Sequence, residues 1–240
     1  MERVFFYHLS SKGGIRVKYA VISDVHSNHV ALQEVLTHIK GQGVDGIICL
    51  GDLVGYHTFP NEVIDLIKSS GATTIMGNHD LKYLRNDHPK DVVGSFMAKH
   101  ITKENREYLE CLPPEHLMVV EGLTLQCVHG SPDNISEYMY ADGDNTESIM
   151  LTLDADILLA GHTHFPLIEQ FGNKWYINSG SVGKPKIGSI EATYVLLSLL
   201  DKTVEAEIIY VPYDNTLIVE DLKRHGFPES VITSAMTGKA

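Results

Sequence analysis

From residue 17 to residue 80 the chain alternates short apolar runs with segments of helical spacing, and this alternation narrows the fold more than any composition figure. "KYAVISDVH" reads as a buried strand that ends in polar residues. "NHVALQEVLTHIKGQG" follows with apolar residues at Val30, Leu32, Val35, Leu36 and Ile39, a helical spacing that Gly41 and Gly43 bring to an end. "DGIICLGD" is a second strand, "NEVIDLIKSSG" a second helix with Pro60 and Asn61 at its start, and "TTIMGNHD" a third strand. This order predicts a βαβαβ unit of parallel strands covered by helices.

Beyond it, residues 81–117 are more polar and read as helical up to "CLPPEH", where two prolines force a break. "LTLQCVHG", "DILLAGHTH" and "KWYINSGS" are further strands that finish in polar or glycine-rich turns. "EATYVLLSLLDKTVEAEIIYVPY" reads as an antiparallel hairpin turned at Asp201 and Lys202, and "TLIVEDLKRHGFPESVITSAM" as weakly helical. With 240 residues, 43% of them hydrophobic, one domain is expected: a leader at 1–16, a domain at 17–212 and a C-terminal helical tail at 213–240 packed on it. No apolar run is long enough for a membrane span and the N-terminal apolar patch is too short for a secretory signal, so a cytoplasmic protein is expected. Cys49, Cys111 and Cys127 are too scattered for a disulfide framework or a thiolate metal site. The net charge of −12 opposes binding to nucleic acid and to anionic lipid, so an anionic substrate needs a local source of positive charge.

That source is written at the strand ends. Asp24 and His26, Asp52, Asn78 and His79, His129, and His162 with His164 all fall just past a predicted strand, where a parallel sheet binds ligands. Alone, Asp24-x-His26 is a loop with a capping Asp, its two side chains pointing the same way if strand geometry persists, and Asp52 is a turn acid. Paired histidines at i and i+2 are poor turn formers and good ligands. Seven oxygen or nitrogen donors without cysteine suit manganese, iron, zinc, nickel or similar ions, and their number fits two ions about 3.5–4 Å apart sharing a carboxylate.

The blocks "SDVHSN", "GDLVGY", "GNHD", "VHG" and "GHTH", in that order, resemble the calcineurin-like metallophosphoesterase superfamily, and "NSGSVGKP" resembles its small prokaryotic branch of phosphodiesterases and phosphatase-like chains. The resemblance spans residues 17 to about 212. It implies an α/β fold, a four-layer α/β/β/α sandwich. It implies that Asp24, His26, Asp52 and His164 surround one divalent ion, and that Asp52, Asn78, His129 and His162 surround the other, with Asp52 bridging. It implies that His79 is no ligand but faces the substrate phosphate as proton donor or transition-state stabiliser. The implied reaction is hydrolysis of a phosphoester by a metal-bridging hydroxide, since metal-bound water ionises near pH 7, while an imidazole of ordinary pKa near 6.5 protonates the leaving oxygen.

Other features carry less. "GQGVDG" satisfies Gly-x-Gly-x-x-Gly but follows a helix and precedes a strand, the reverse of a dinucleotide site. Ser181 and Lys184 in "GSVGKPK", with Tyr56 and His57 after "GDLVG", are candidates for substrate contact, and Tyr138 and Tyr140 for the mouth of the site. His29, His38 and His100 fall on helices and read as packed or solvated. A phosphodiesterase acting on a small or nucleotide-like molecule is the leading expectation. A phosphomonoesterase of protein-phosphatase type, a dinucleoside polyphosphate hydrolase and a non-catalytic scaffold stand as alternatives, and a homo-oligomer is compatible with all of them.

Overall fold

The computed structural model describes residues 16–85 and 92–239, so the leader at 1–16 lies outside the described residues apart from Arg16. In chain order, β1 (Val17–Ile22), α1 (His29–Lys40), β2 (Gly46–Cys49), α2 (Pro60–Ser70) and β3 (Thr73–Thr74) form the expected alternating unit. Three short helices follow, α3 (Asn78–Leu84), α4 (Val92–His100) and α5 (Lys103–Glu110), and then β4 (His116–Val120) and β5 (Leu123–Cys127). The second half carries α6 (Asp144–Thr152), β6 (Ile157–Ala160), β7 (Pro166–Phe171), β8 (Lys174–Ser179), β9 (Ala192–Leu200) and β10 (Thr203–Val211), and it closes with α7 (Thr216–Arg224) and α8 (Glu229–Thr237).

Local chemistry sets these boundaries. The Asn28 side chain accepts from Ala31 N at 3.1 Å and starts α1, which buries Ala31, Leu32, Val35, Leu36 and Ile39. Pro60 opens α2, where its missing N–H costs nothing, and Gly71 at φ 69° ends it. The hairpin turns at Asp201 and Lys202, both with positive φ, the twist that a two-residue connection requires.

Two sequence expectations need correction. "TTIMGNHD" is strand only at Thr73–Thr74: Met76 N leaves the sheet to bond Pro113 O at 2.8 Å, and Asn78 begins α3. The ligand positions also share not one sheet edge but two. The first sheet has the order β10-β9-β1-β2-β3 and the second β4-β5-β6-β8-β7, each mixing parallel and antiparallel pairs. β4, β7 and α6 had no clear sequence signal; β4 alternates half-buried with exposed positions, and β7 keeps no position fully buried.

Three apolar clusters separate four layers. One joins the first sheet to α1 and α2 and takes in Ile218, Leu222, Phe227 and Ile232 from the C-terminal segment. The second lies between the sheets, with Val21, Ile48, Val195 and Leu197 facing Leu125, Ile157, Leu159 and Ile177. The third packs Leu158, Ala160 and Tyr176 beneath Met139 and Met150. The result is the α/β/β/α sandwich. Because Leu197 is fully buried between the sheets, Leu197→Ala is expected to lower unfolding stability by about 2–5 kcal/mol in urea titration, and Leu217→Ala, at an exposed site, by under about 0.5 kcal/mol.

Candidate metal centre

The loops that bear donors all leave parallel strands. β1 delivers Asp24 and His26, β2 delivers Asp52, and the turn after β3 delivers Asn78 at the first position of α3; from the second sheet, β5 delivers His129 and β6 delivers His162 and His164. All seven are buried. Five hold left-handed backbone: Asp24 at φ 53°, His26 at 49°, Asp52 at 55°, His162 at 65° and His164 at 63°. Strand pleat therefore does not aim Asp24 and His26. The chain bends sharply after Ile22, and positive φ turns their side chains into the crevice.

Backbone carbonyls fix every imidazole. His26 Nδ1 donates to Val54 O at 3.2 Å, His129 Nδ1 to Leu50 O at 2.7 Å, His162 Nε2 to Ser136 O at 3.1 Å, and His164 Nδ1 to Lys184 O. Each ring then turns its remaining nitrogen inward as an acceptor. His26 Nε2 and His164 Nε2 stand 3.2 Å apart, with Asp24 Oδ1, buried without a hydrogen bond, 3.2 Å from the second of them. Asp52 Oδ2 lies 3.6 Å from His26 Nε2 and 3.3 Å from His129 Nε2, between the two groups.

Asn78 shows the same crowding. Its amide oxygen is 2.9 Å from His129 Nε2, and with the amide turned over its nitrogen would reach His162 Nδ1 at 3.0 Å, His129 Nε2 at 2.9 Å and Asp52 Oδ2 at 3.2 Å. Three lone-pair donors converge on one amide end. Asp24, His26 and His164 on one side, and Asp52, His129 and His162 on the other, bring their ligand atoms within 4.8 Å of one another. Facing lone pairs repel unless a cation sits among them, so the residues fit two divalent ions with Asp52 shared. Burial opposes charge on His129, yet the Asp52 carboxylate holds it up to about 9, while His164 and His26 hold Asp24 well below the usual carboxylate range against its burial.

Cross-sheet bonds hold the crevice together. His162 N donates to Asp24 Oδ2 at 2.9 Å, Val182 N to Ser23 O at 3.0 Å, and Gly183 N to Asp24 O at 2.9 Å. A Cβ on Gly183 would sit 1.8 Å from Val25 O, so only glycine lets the loop after β8 approach this closely. Ser181 belongs to the same strut: fully buried, it donates to Asp24 O at 2.8 Å and accepts from Lys184 N, which leaves it no open face for substrate. His57 is buried too and donates to His26 O at 2.8 Å.

Asp80, which the sequence reading passed over, links two ligand loops by accepting from Gly77 N at 2.9 Å and Val54 N at 3.1 Å. Its position three residues into a helix was the available signal.

His79 is partly exposed, and its backbone N–H donates to Asp52 Oδ1 at 2.7 Å. Its ring lies 5.0 Å from that of His26 and 4.8 Å from that of Tyr56. Burial pushes the imidazole down to about 3, against the pull of Asp52, so the ordinary pKa assumed for a proton donor does not hold here. Lys184 Nζ stands 4.6 Å over the Tyr56 ring. Of the helical histidines, His38 Nδ1 bonds Tyr194 Oη at 2.9 Å, His29 packs tilted at 53° against Phe59, and His100 stacks on Phe96.

The model of the calcineurin-like phosphoesterase superfamily domain matches residues 17–202. An uncharacterized protein of Methanocaldococcus jannaschii is 31% identical over 237 residues, covering 90% of this chain and 96% of its own. The phosphodiesterase YfcE of Escherichia coli is 24% identical over 210 residues, 82% of this chain and 100% of that one. A metallophosphoesterase crystal structure from Sphaerobacter thermophilus superposes with a TM-score of 0.81 at 28% identity, covering 93% of this chain and 100% of that one. The chain belongs to the calcineurin-like phosphoesterase superfamily and is a metal-dependent hydrolase of phosphoesters.

Equilibrium dialysis against Mn²⁺ is expected to give two ions per chain for the wild type and about one for Asn78→Ala. Because a proton on His129 competes with the ion, affinity at that site should climb about tenfold per pH unit until pH 9 and level off above it.

Proposed function

We propose that the enzyme is a phosphodiesterase acting on a small or nucleotide-like substrate, with its phosphorus at the centre bounded by Asp24, His26, Asp52, Asn78, His129, His162 and His164. The observation that carries the reading is the convergence of four carbonyl-fixed imidazoles and two carboxylates on a crevice with Asp52 between the groups. The mixed imidazole, carboxylate and amide set suits manganese. Bound there, two divalent ions would supply Lewis acidity toward the phosphate and would lower the pKa of a coordinated water to about 7. The likeness to a protein named a phosphodiesterase supports the diester class. The reading includes a cytoplasmic location, supported by three unpaired cysteines.

The chain's own groups then divide the work. Asp52 fixes the His79 backbone through its Oδ1 and keeps Oδ2 for the centre. His79, held neutral by burial, offers an N–H to a phosphate oxygen and stabilises the charge that builds as the ester bond lengthens. Tyr56, whose hydroxyl burial pushes up to about 12, stays a protonated donor beside it. Lys184 adds a positive charge over the Tyr56 ring.

Turnover of bis-p-nitrophenyl phosphate by the Mn²⁺-loaded protein tests the reading. His79→Ala is expected to keep two ions while kcat falls roughly 10²–10⁴-fold. Unchanged turnover in both His79→Ala and Asp52→Asn would overturn the assignment.

A further inference from the structure

Next to the metal centre the chain displays a strip of aromatic rings that the hydrolytic reading does not use. The Tyr138 ring stacks on His162, centroids 4.2 Å apart and planes at 27°. Tyr140 lies parallel to Tyr138 at 5.6 Å and 5°, and Phe165 meets Tyr140 at 6.3 Å and 62°. All three are open to solvent: Tyr138 is 44% exposed, Tyr140 42% and Phe165 40%.

This exposure is built rather than incidental. Between the two tyrosines Met139 points inward, 2% exposed, and its carbonyl accepts from the buried Tyr176 hydroxyl at 2.7 Å. Tyr138 O accepts from Asn145 Nδ2 at 3.0 Å, and Ser136 O holds the His162 ring. A loop anchored at three successive points has its alternate side chains forced outward. Isolated exposed tyrosines are ordinary, but three contiguous rings that begin on a metal ligand form a directed surface.

Charge marks the same place. Lys186 Nζ lies 5.8 Å over the Tyr138 ring and Lys184 Nζ lies over Tyr56, and the two ammonium groups repel each other. Among the described residues neither ammonium forms a salt bridge; Asp24 draws on both and Asp52 on Lys186, two carboxylates that the centre already employs. An anion at the centre would relieve this surplus, and flat apolar rings lead away from it. In a nucleoside phosphoester a ribose joins an anionic phosphate to a flat base, the same order of charge and rings.

We propose that Tyr140, two ring-steps from His162, and Phe165, one step beyond it, are the subsite for the nucleobase of a nucleoside phosphoester whose phosphorus sits at the metal centre. The inference rests on the phosphoesterase reading and narrows its substrate class to nucleotides. Stacking on aromatic side chains tolerates any base, so the subsite selects for a base without choosing which.

Calorimetric titration of the full-length Mn²⁺-loaded protein with adenosine 5′-monophosphate and with ribose 5-phosphate tests it. The nucleotide is expected to bind at least tenfold more tightly, and Tyr140→Ala to reduce that preference about 5- to 100-fold, with Tyr140→Trp restoring it. Equal affinity of the wild type for both ligands, or a preference unchanged in Tyr140→Ala, would overturn the subsite and leave the strip to a protein partner. If the nucleotide preference appears but bis-p-nitrophenyl phosphate is not hydrolysed, the reaction fails and the subsite stands.

Discussion

Four hydrogen bonds from imidazole N–H groups to the carbonyls of Val54, Leu50, Ser136 and Lys184 govern the whole molecule. Each one fixes a tautomer and therefore aims a lone pair. The bond from His129 to Leu50 O also runs from the second sheet to the first, so this one contact both orients a ligand and joins the halves of the sandwich at the crevice. Inner nitrogens of His26 and His164 face one another at 3.2 Å, an arrangement stable only around a proton or a metal ion.

Holding that geometry costs backbone strain. Left-handed conformations at non-glycine residues cost about 1–3 kcal/mol each, and Asp24, His26, Asp52, His162 and His164 all adopt them. Such turns persist where the surroundings leave no alternative. Here the surroundings are the core between the sheets and the cross-sheet bonds from His162, Val182 and Gly183 to Ser23 and Asp24. Asp80, tying Gly77 to Val54, plays the same part between two loops of the first sheet.

The donors were legible because each follows a short apolar run, and apolar runs mark strands whether or not their neighbours are known. The alternating first half and the hairpin at Asp201 and Lys202 were legible for the same local reason. What failed was non-local. Nothing in "GNHD" says that Pro113 draws the chain out of the sheet at Met76, so a helix start passed for a strand end. Ser181 looked like a substrate contact from its place in "GSVGKPK", whereas in the fold it is buried between Asp24 O and Lys184 N. The depressed imidazole of His79 depends on burial, which no sequence window reports. The stack of His162, Tyr138 and Tyr140 joins two loops from different parts of the chain, and its charge partner Lys186 comes from a third.

Anomalous diffraction from crystals of the Mn²⁺-loaded protein tests the central claim most directly. Two manganese peaks about 3.5–4 Å apart are expected, with Asp52 touching both and no shift in the four carbonyl-bound imidazoles. A single peak, or two peaks with Asp52 on one alone, would contradict it.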